Sequence, residues 1–114
     1  MSDAPFASAA KDPQFLYLRT VGRKTGLPRE IEIWYVAYNG CYYLCAETRE
    51  RANWVQNIQN DSSVMFWAGG QTYRGTGRIL DRAAEPELTA AVAQLFDAKY
   101  EWSDGLLVEL CPQT

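Results

Sequence analysis

Between the alternating runs at residues 29–38 and 41–46 stands one dipeptide, Asn39-Gly40, which restricts the fold more than any other feature of the chain. Both residues tolerate positive φ, as a two-residue type I′ turn requires, so the runs are expected to form a tight antiparallel hairpin. A two-residue turn sets the register. One face pairs Tyr38 with Cys41, Val36 with Tyr43 and Trp34 with Cys45; the other pairs Ala37 with Tyr42, Tyr35 with Leu44 and Ile33 with Ala46. Both faces are apolar or aromatic, whereas a sheet with one solvated face alternates more cleanly. One face is therefore expected to fill a barrel interior. The other needs a helix, a second subunit or a flat ligand over it.

The rest of the chain fits around this hairpin. Residues 15–21 alternate as a strand, and Gly22-Arg23-Lys24-Thr25-Gly26-Leu27-Pro28 reads as a tight connection. Gly26 can take positive φ there, and Pro28 bars a continuing helix. Residues 49–60 carry helical spacing at Ala52, Val55, Ile58 and Gln59. Residues 63–68 and 72–80 form a second hairpin around Gly69-Gly70, in which Gly75 and Gly77 mark a bulge or the close approach of another backbone or ligand. Residues 84–100 form an amphipathic helix with Leu88, Ala91, Val92, Leu95 and Phe96 on one stripe and Pro86 in its first turn. Residues 106–110 supply a last strand.

A chain of 114 residues has room for one core. The expectation is an α+β domain at residues 13–114: a small, mostly antiparallel, six-stranded barrel with two packed helices. Residues 1–12 are small and polar and are expected to be a flexible N-terminal segment.

Histidine is absent. That removes histidine-based nucleophile systems, histidine general bases and histidine-ligated metal or haem. No metal site is expected, and any hard chemistry falls to a bound cofactor. A net charge of −3 argues against a nucleic-acid or anionic-membrane partner. Residues 1–12 lack the basic and apolar regions of a signal peptide, and no apolar run is long enough to span a bilayer. A cytoplasmic protein without membrane insertion is expected. Cys41, Cys45 and Cys111 are odd in number, and four strand steps separate Cys41 from Cys45 by about 13 Å, too far for a disulfide. Three reduced thiols are the expectation.

Charge is uneven. Residues 13–82 hold nine basic and six acidic side chains, and Arg19, Arg23, Lys24 and Arg29 have no acid among them. Gly22-Arg23-Lys24-Thr25-Gly26 offers guanidinium, ammonium, hydroxyl and loop N–H groups in one turn. That suits a phosphate or carboxylate, and composition alone leaves a solvated turn equally open. It is not a P-loop, because a strand rather than a helix follows. Arg74-Gly75-Thr76-Gly77-Arg78 has the frame of an RNA-binding motif but lacks its stacking aromatics.

The stretch from Leu18 to Arg29, read as Leu-Arg-Thr-Val-Gly-Arg-Lys-Thr-Gly-Leu-Pro-Arg, is followed by the hairpin, an alanine-containing turn and a helix with Trp54-Val55-Gln56-Asn57. Asn60-Asp61 and Val64 then lead into strands carrying Gln71-Thr72-Tyr73. Together these residues resemble the signature of the deazaflavin-dependent nitroreductase family. Its members bind F420 on the split β-barrel, flavin-reductase-like fold shared with FMN-binding and pyridoxamine 5′-phosphate oxidase-like proteins. The resemblance covers about residues 15–80, and beyond them only the layout.

The resemblance implies that Arg23, Lys24, Thr25 and Gly26 hold the phosphate and carboxylates of the cofactor's tail, with Pro28 shaping the turn. It implies that Cys45, Ala46, Glu47, Thr48 and Arg49 border the ring and ribityl chain. Asn53, Trp54 and Asn57 open or brace the following helix, and the resemblance counts Asn53 and Trp54 among the cofactor-binding residues. Glu47, Thr48 and Gln56 depart from the small, basic and histidine residues common in the family. The implied reaction is hydride transfer from reduced F420 to a small electrophilic acceptor such as a quinone, nitro compound or activated alkene. The accompanying proton would come from solvent or a tyrosine, with Tyr35 and Tyr73 as candidates. A homodimer with the cofactor at the subunit junction is implied too. The alternatives are an FMN-binding oxidoreductase of this fold and a non-catalytic F420 or flavin carrier or sensor.

Overall fold

Asn39 and Gly40 take φ of 51° and 81°, and the hairpin they turn has the expected register over Tyr35↔Leu44, Val36↔Tyr43, Ala37↔Tyr42 and Tyr38↔Cys41. The structure, a computed structural model, describes residues 15–113; the segment 1–12 lies outside them. The strands are β1 (Phe15–Val21), β2 (Pro28–Tyr38), β3 (Cys41–Ala46), β4 (Ser63–Ala68), β5 (Gln71–Ile79) and β6 (Leu106–Pro112). The helices are α1 (Asn53–Asn60) and α2 (Pro86–Tyr100). The six strands close in the order β1-β2-β3-β6-β5-β4, with every neighbouring pair antiparallel.

Two expected hairpin pairs do not form. Trp34 and Ile33 pair with Phe15 and Leu16 of β1, while Cys45 and Ala46 pair with Leu107 and Leu106 of β6. Closing a barrel tilts and staggers its strands, so β2 gives its first part to β1 and its last part to β3. Beyond Tyr35 and Leu44 the two strands part.

Each hairpin face contributes buried side chains to a core, while Trp34 and Ala37 stay exposed. Inside the barrel, Tyr35, Leu44 and Ala46 pack with Leu16, Phe66 and Leu110, and α1 adds Val55 and Ile58. Outside, Val36, Tyr43 and Cys45 lie under Val92 and Phe96 of α2, so a helix covers the second face. Tyr100 ties the end of α2 to β2: its hydroxyl accepts from the Tyr35 N–H at 3.0 Å and donates to the Tyr35 carbonyl at 2.8 Å. A Cβ on Gly75 would stand 2.2 Å from the Cys111 carbonyl oxygen, so a neighbouring backbone does approach there. At Gly77 the neighbour is the Ile58 side chain.

Two expectations need correction. The helix read over residues 49–60 is broken: Arg49–Arg51 make one 3₁₀ turn, and Ala52, with ψ of 133°, is extended before α1 begins. The three thiols are not all reduced, for Cys41 and Cys111 form a disulfide with Cα atoms 4.5 Å apart. Spacing along β3 ruled out Cys41–Cys45, but the β3–β6 pairing brings together residues 70 apart in sequence. Glu109 lies beside those sulfurs, where it accepts from Tyr43 and Arg78. No helix among the described residues is long and apolar enough to cross a membrane.

Candidate functional site

Where β2 and β3 part, an apolar slot of about 620 Å³ opens. Ile33 and Trp34 line one side and Cys45 and Ala46 the other; Ala52, Trp54 and Trp102 close it, and Glu47 and Thr48 stand at its mouth. The Trp34 indole stacks on Tyr100 with centroids 4.4 Å apart and planes 6° from parallel. Because Tyr100 is itself pinned to β2, the indole is backed by a fixed ring. A Cβ on Gly105 would lie 2.6 Å from the Ala46 carbonyl oxygen, 2.8 Å from the Cys45 Sγ and 3.0 Å from the Trp102 ring, so only glycine fits beside all three. Burial pushes the Cys45 thiol up to about 11, leaving it neutral at pH 7.

A second cavity, of about 570 Å³, lies on the far side of Trp54. Its wall is the β1–β2 turn with Gly22, Arg23, Lys24, Thr25 and Pro28, faced by Asn53 and Asn57 of α1. The turn is closed by Gly22 N–H to Leu27 O and Gly26 N–H to Gly22 O, each 2.8 Å. Thr25 Oγ1 accepts from Leu27 N–H at 3.2 Å. Gly26 has φ of 74°, a conformation in which a Cβ is strained. Asn57 Oδ1 accepts from the Arg23 backbone N–H at 3.2 Å and from Nη1 at 3.0 Å, while Asn53 Oδ1 accepts from Nη2 at 3.3 Å. Asn57 Nδ2 donates to Thr20 Oγ1 at 3.1 Å. Asn57 and Thr20 are 2% and 1% exposed, so both must be bonded within the protein.

The fold thus gathers Arg23, Lys24, Thr25, Pro28 and Asn53 around the basic cavity and Cys45, Ala46, Glu47 and Thr48 around the slot, with Trp54 lining both. Gly26 faces a smaller groove beside Arg19 and Arg74. Arg49 does not border the slot; it donates to Asp104 at 3.2 Å and lines a groove near β6. Tyr35 and Tyr73 line neither cavity. Tyr35 is buried in the barrel, and the Tyr73 hydroxyl accepts from Tyr42 and donates to Gln71.

Sequence reasoning did not assign Phe15, Glu32, Ile33, Trp34, Ala52 or Trp102 to the cofactor, though all of them line the slot. Trp102 lies far from the rest in sequence, and only the return of β6 beside β3 brings it in. The Trp-x-x-Asn spacing was the signal for Asn57, which places both residues on one side of α1.

An aromatic slot suits a flat ring, a basic cavity suits an anionic chain, and one indole separates them. Residues 4–104 match the sequence profile described as F420H(2)-dependent quinone reductase. No curated protein sequence matches the chain significantly. Among solved structures, the haem storage protein HutZ of Vibrio cholerae is similar at TM-score 0.73 and 16% identity, over 100% of this chain and 92% of that one. An F420-H2 dependent reductase, FDR-A, is similar at TM-score 0.61 and 19% identity, over 85% of this chain and 93% of that one. A protein described as a domain-swapped dimer is similar at TM-score 0.59 and 20% identity, over 85% and 78%. At such identities these likenesses concern the fold.

Proposed function

The chain belongs to the F420H(2)-dependent quinone reductase family, and we propose that it is an oxidoreductase using reduced F420 to reduce a small electrophilic acceptor such as a quinone, nitro compound or activated alkene. The observation that carries this reading is the shared wall at Trp54, which joins a slot fit for a planar ring to a cavity fit for an anionic tail. When bound, reduced F420 would supply the hydride and leave as the oxidised cofactor. The residues present fit that group: the slot is walled largely by apolar and aromatic side chains, and the basic cavity offers Arg23, Lys24 and Thr25 on a closed turn.

In this reading Arg23, Lys24 and Thr25 hold the phosphate and carboxylates. Cys45, Ala46 and Trp54 confine the ring and keep water from it. Glu47 and Thr48, at the mouth, meet the ribityl chain or the acceptor. The neutral Cys45 thiol adds no charge beside the ring. Tyr35 and Tyr73 line neither cavity, so in this reading the proton of the reduced acceptor comes from solvent at the mouth.

A homodimer belongs to the same proposal. Phe15 and Trp34, 37% and 39% exposed, stand at the rim of the slot where a second copy would enclose it, and one neighbour of this fold is described as a dimer. We also place the protein in the cytoplasm, where reduction would open Cys41–Cys111; cell fractionation tests that placement.

The test of function is anaerobic mixing of the protein with reduced F420 and menadione, followed by the return of oxidised F420 absorbance. Protein-dependent reoxidation is expected. Tight binding without turnover across quinones, nitro compounds and enones would replace the enzyme reading with that of a carrier.

A further inference from the structure

Arg19, Arg49 and Arg78 each meet a carboxylate: Glu30, Asp104, and Glu85 with Glu109. Arg23 meets two carboxamides instead, Asn53 and Asn57, four residues apart on one side of α1. Among the described residues it pairs with no carboxylate. A guanidinium has five N–H donors in a rigid fork; two go to these amide oxygens, and because Glu30, the carboxylate that lines the same cavity, is paired with Arg19, no ion pair cancels the Arg23 charge.

We propose that Asn53 and Asn57 are positioning residues whose neutrality is the point: they aim Arg23 at the cavity without neutralising it, which makes the turn a site for a phosphate-like or carboxylate anion. This rests on the reading that the turn holds the cofactor's anionic end, and adds how it does so. The orientation of Asn57 follows from its surroundings. Oδ1 faces two Arg23 donors, and Nδ2 faces the buried Thr20 hydroxyl. A burial this complete leaves the amide one satisfied orientation. An arginine fixed before the ligand arrives loses less freedom on binding than a mobile one.

An aspartate at either position has nearly the same shape and still accepts from Arg23, but supplies the missing negative charge. In Asn57→Asp the second carboxylate oxygen faces Thr20, whose hydroxyl can turn to donate. A purely structural role therefore predicts little change in Asn53→Asp, which sits on an exposed residue. A charge role predicts a large loss of anion affinity.

The full chain and the variants Asn53→Asp and Asn57→Asp are compared by thermal shift with inorganic pyrophosphate. They are also titrated by fluorescence with F420 and with the same deazaflavin carrying only its ribityl chain. The expected result is that pyrophosphate raises the melting temperature of the wild type and not of either variant. F420 dissociation constants should rise at least tenfold with a flatter salt dependence, and the tail-less compound should bind unchanged. Variants that fold and keep wild-type affinity for pyrophosphate and F420 overturn the inference, and so does equal loss of F420 and its tail-less form. A wild type unmoved by pyrophosphate also overturns it. A wild type that responds to pyrophosphate, with both variants silent, but binds no F420 supports the Arg23 assignment while contradicting the proposed function. If Asn57→Asp fails to fold, Asn53→Asp decides the matter alone.

Discussion

Arg23 and Asn57, 34 residues apart in sequence, are joined twice, because the backbone N–H and the guanidinium of one both donate to the Oδ1 of the other. That joint fastens the basic turn to α1. Trp54, on the same helix, divides the turn's cavity from the aromatic slot. One short helix thus supplies a wall to both cavities.

Replacing Arg23 and Lys24 together with alanine should raise the F420 dissociation constant about 100-fold, at about 1.5 kcal/mol for each charged hydrogen bond removed. The remaining affinity should depend less on salt. Fluorescence titration at two ionic strengths checks both, and an unchanged constant would remove the turn from the site.

Gly75→Ala should destabilise the fold by about 1–3 kcal/mol or more, since its Cβ meets the Cys111 backbone at the β5–β6 seam. Gly77→Ala should cost less, because the atoms it meets belong to the movable Ile58 side chain. Urea unfolding of the two variants gives the comparison; equal midpoints would contradict the packing described at the seam.

Much of the fold is legible in the sequence. Asn39-Gly40 marks the hairpin, the apolar character of both its faces marks a barrel with something packed outside, and the stripe on residues 84–100 marks the helix that does the covering. The expected Trp34–Cys45 pairing fails because hairpin logic treats two strands alone, whereas closure makes β2 divide itself between β1 and β3. The same blindness hides Cys41–Cys111. Pairings between elements far apart in sequence leave no local mark, and the slot exists only because of such pairings.

Removing that disulfide, as Cys41→Ser with Cys111→Ser, should cost about 2–4 kcal/mol through the freed loop in the unfolded chain. Melting with and without a dithiol reductant should reproduce the difference in the wild type and not in the double variant. Equal melting temperatures would show that the bond does not form in solution.

Stability should fall as pH rises from about 9 to 12. Burial pushes the Cys45 thiol from 9.0 up to about 11, and burial with the Tyr73 hydrogen bond pushes Tyr42 from 10.0 up to about 12. The folded chain holds these protons more tightly than the unfolded one. Their contribution is complete below the unfolded values and gone above the folded ones. Glu85, held below its usual range by Arg78, works the other way: its smaller contribution is lost as pH falls through the carboxylate range. Denaturant midpoints between pH 4 and 12 should trace this asymmetric profile, and a midpoint still rising beyond pH 10 would contradict the burial assigned to both groups.

We propose that F420 spans the two cavities meeting at Trp54, its deazaflavin ring in the slot and its phosphate and carboxylates in the basic cavity. Fluorescence titration of the cofactor-free protein with F420, and separately with FMN, tests it most directly. Tight, saturable binding of F420 and far weaker binding of FMN, which lacks the carboxylate-bearing tail, are expected. Saturable binding of FMN alone, or of neither, would contradict it.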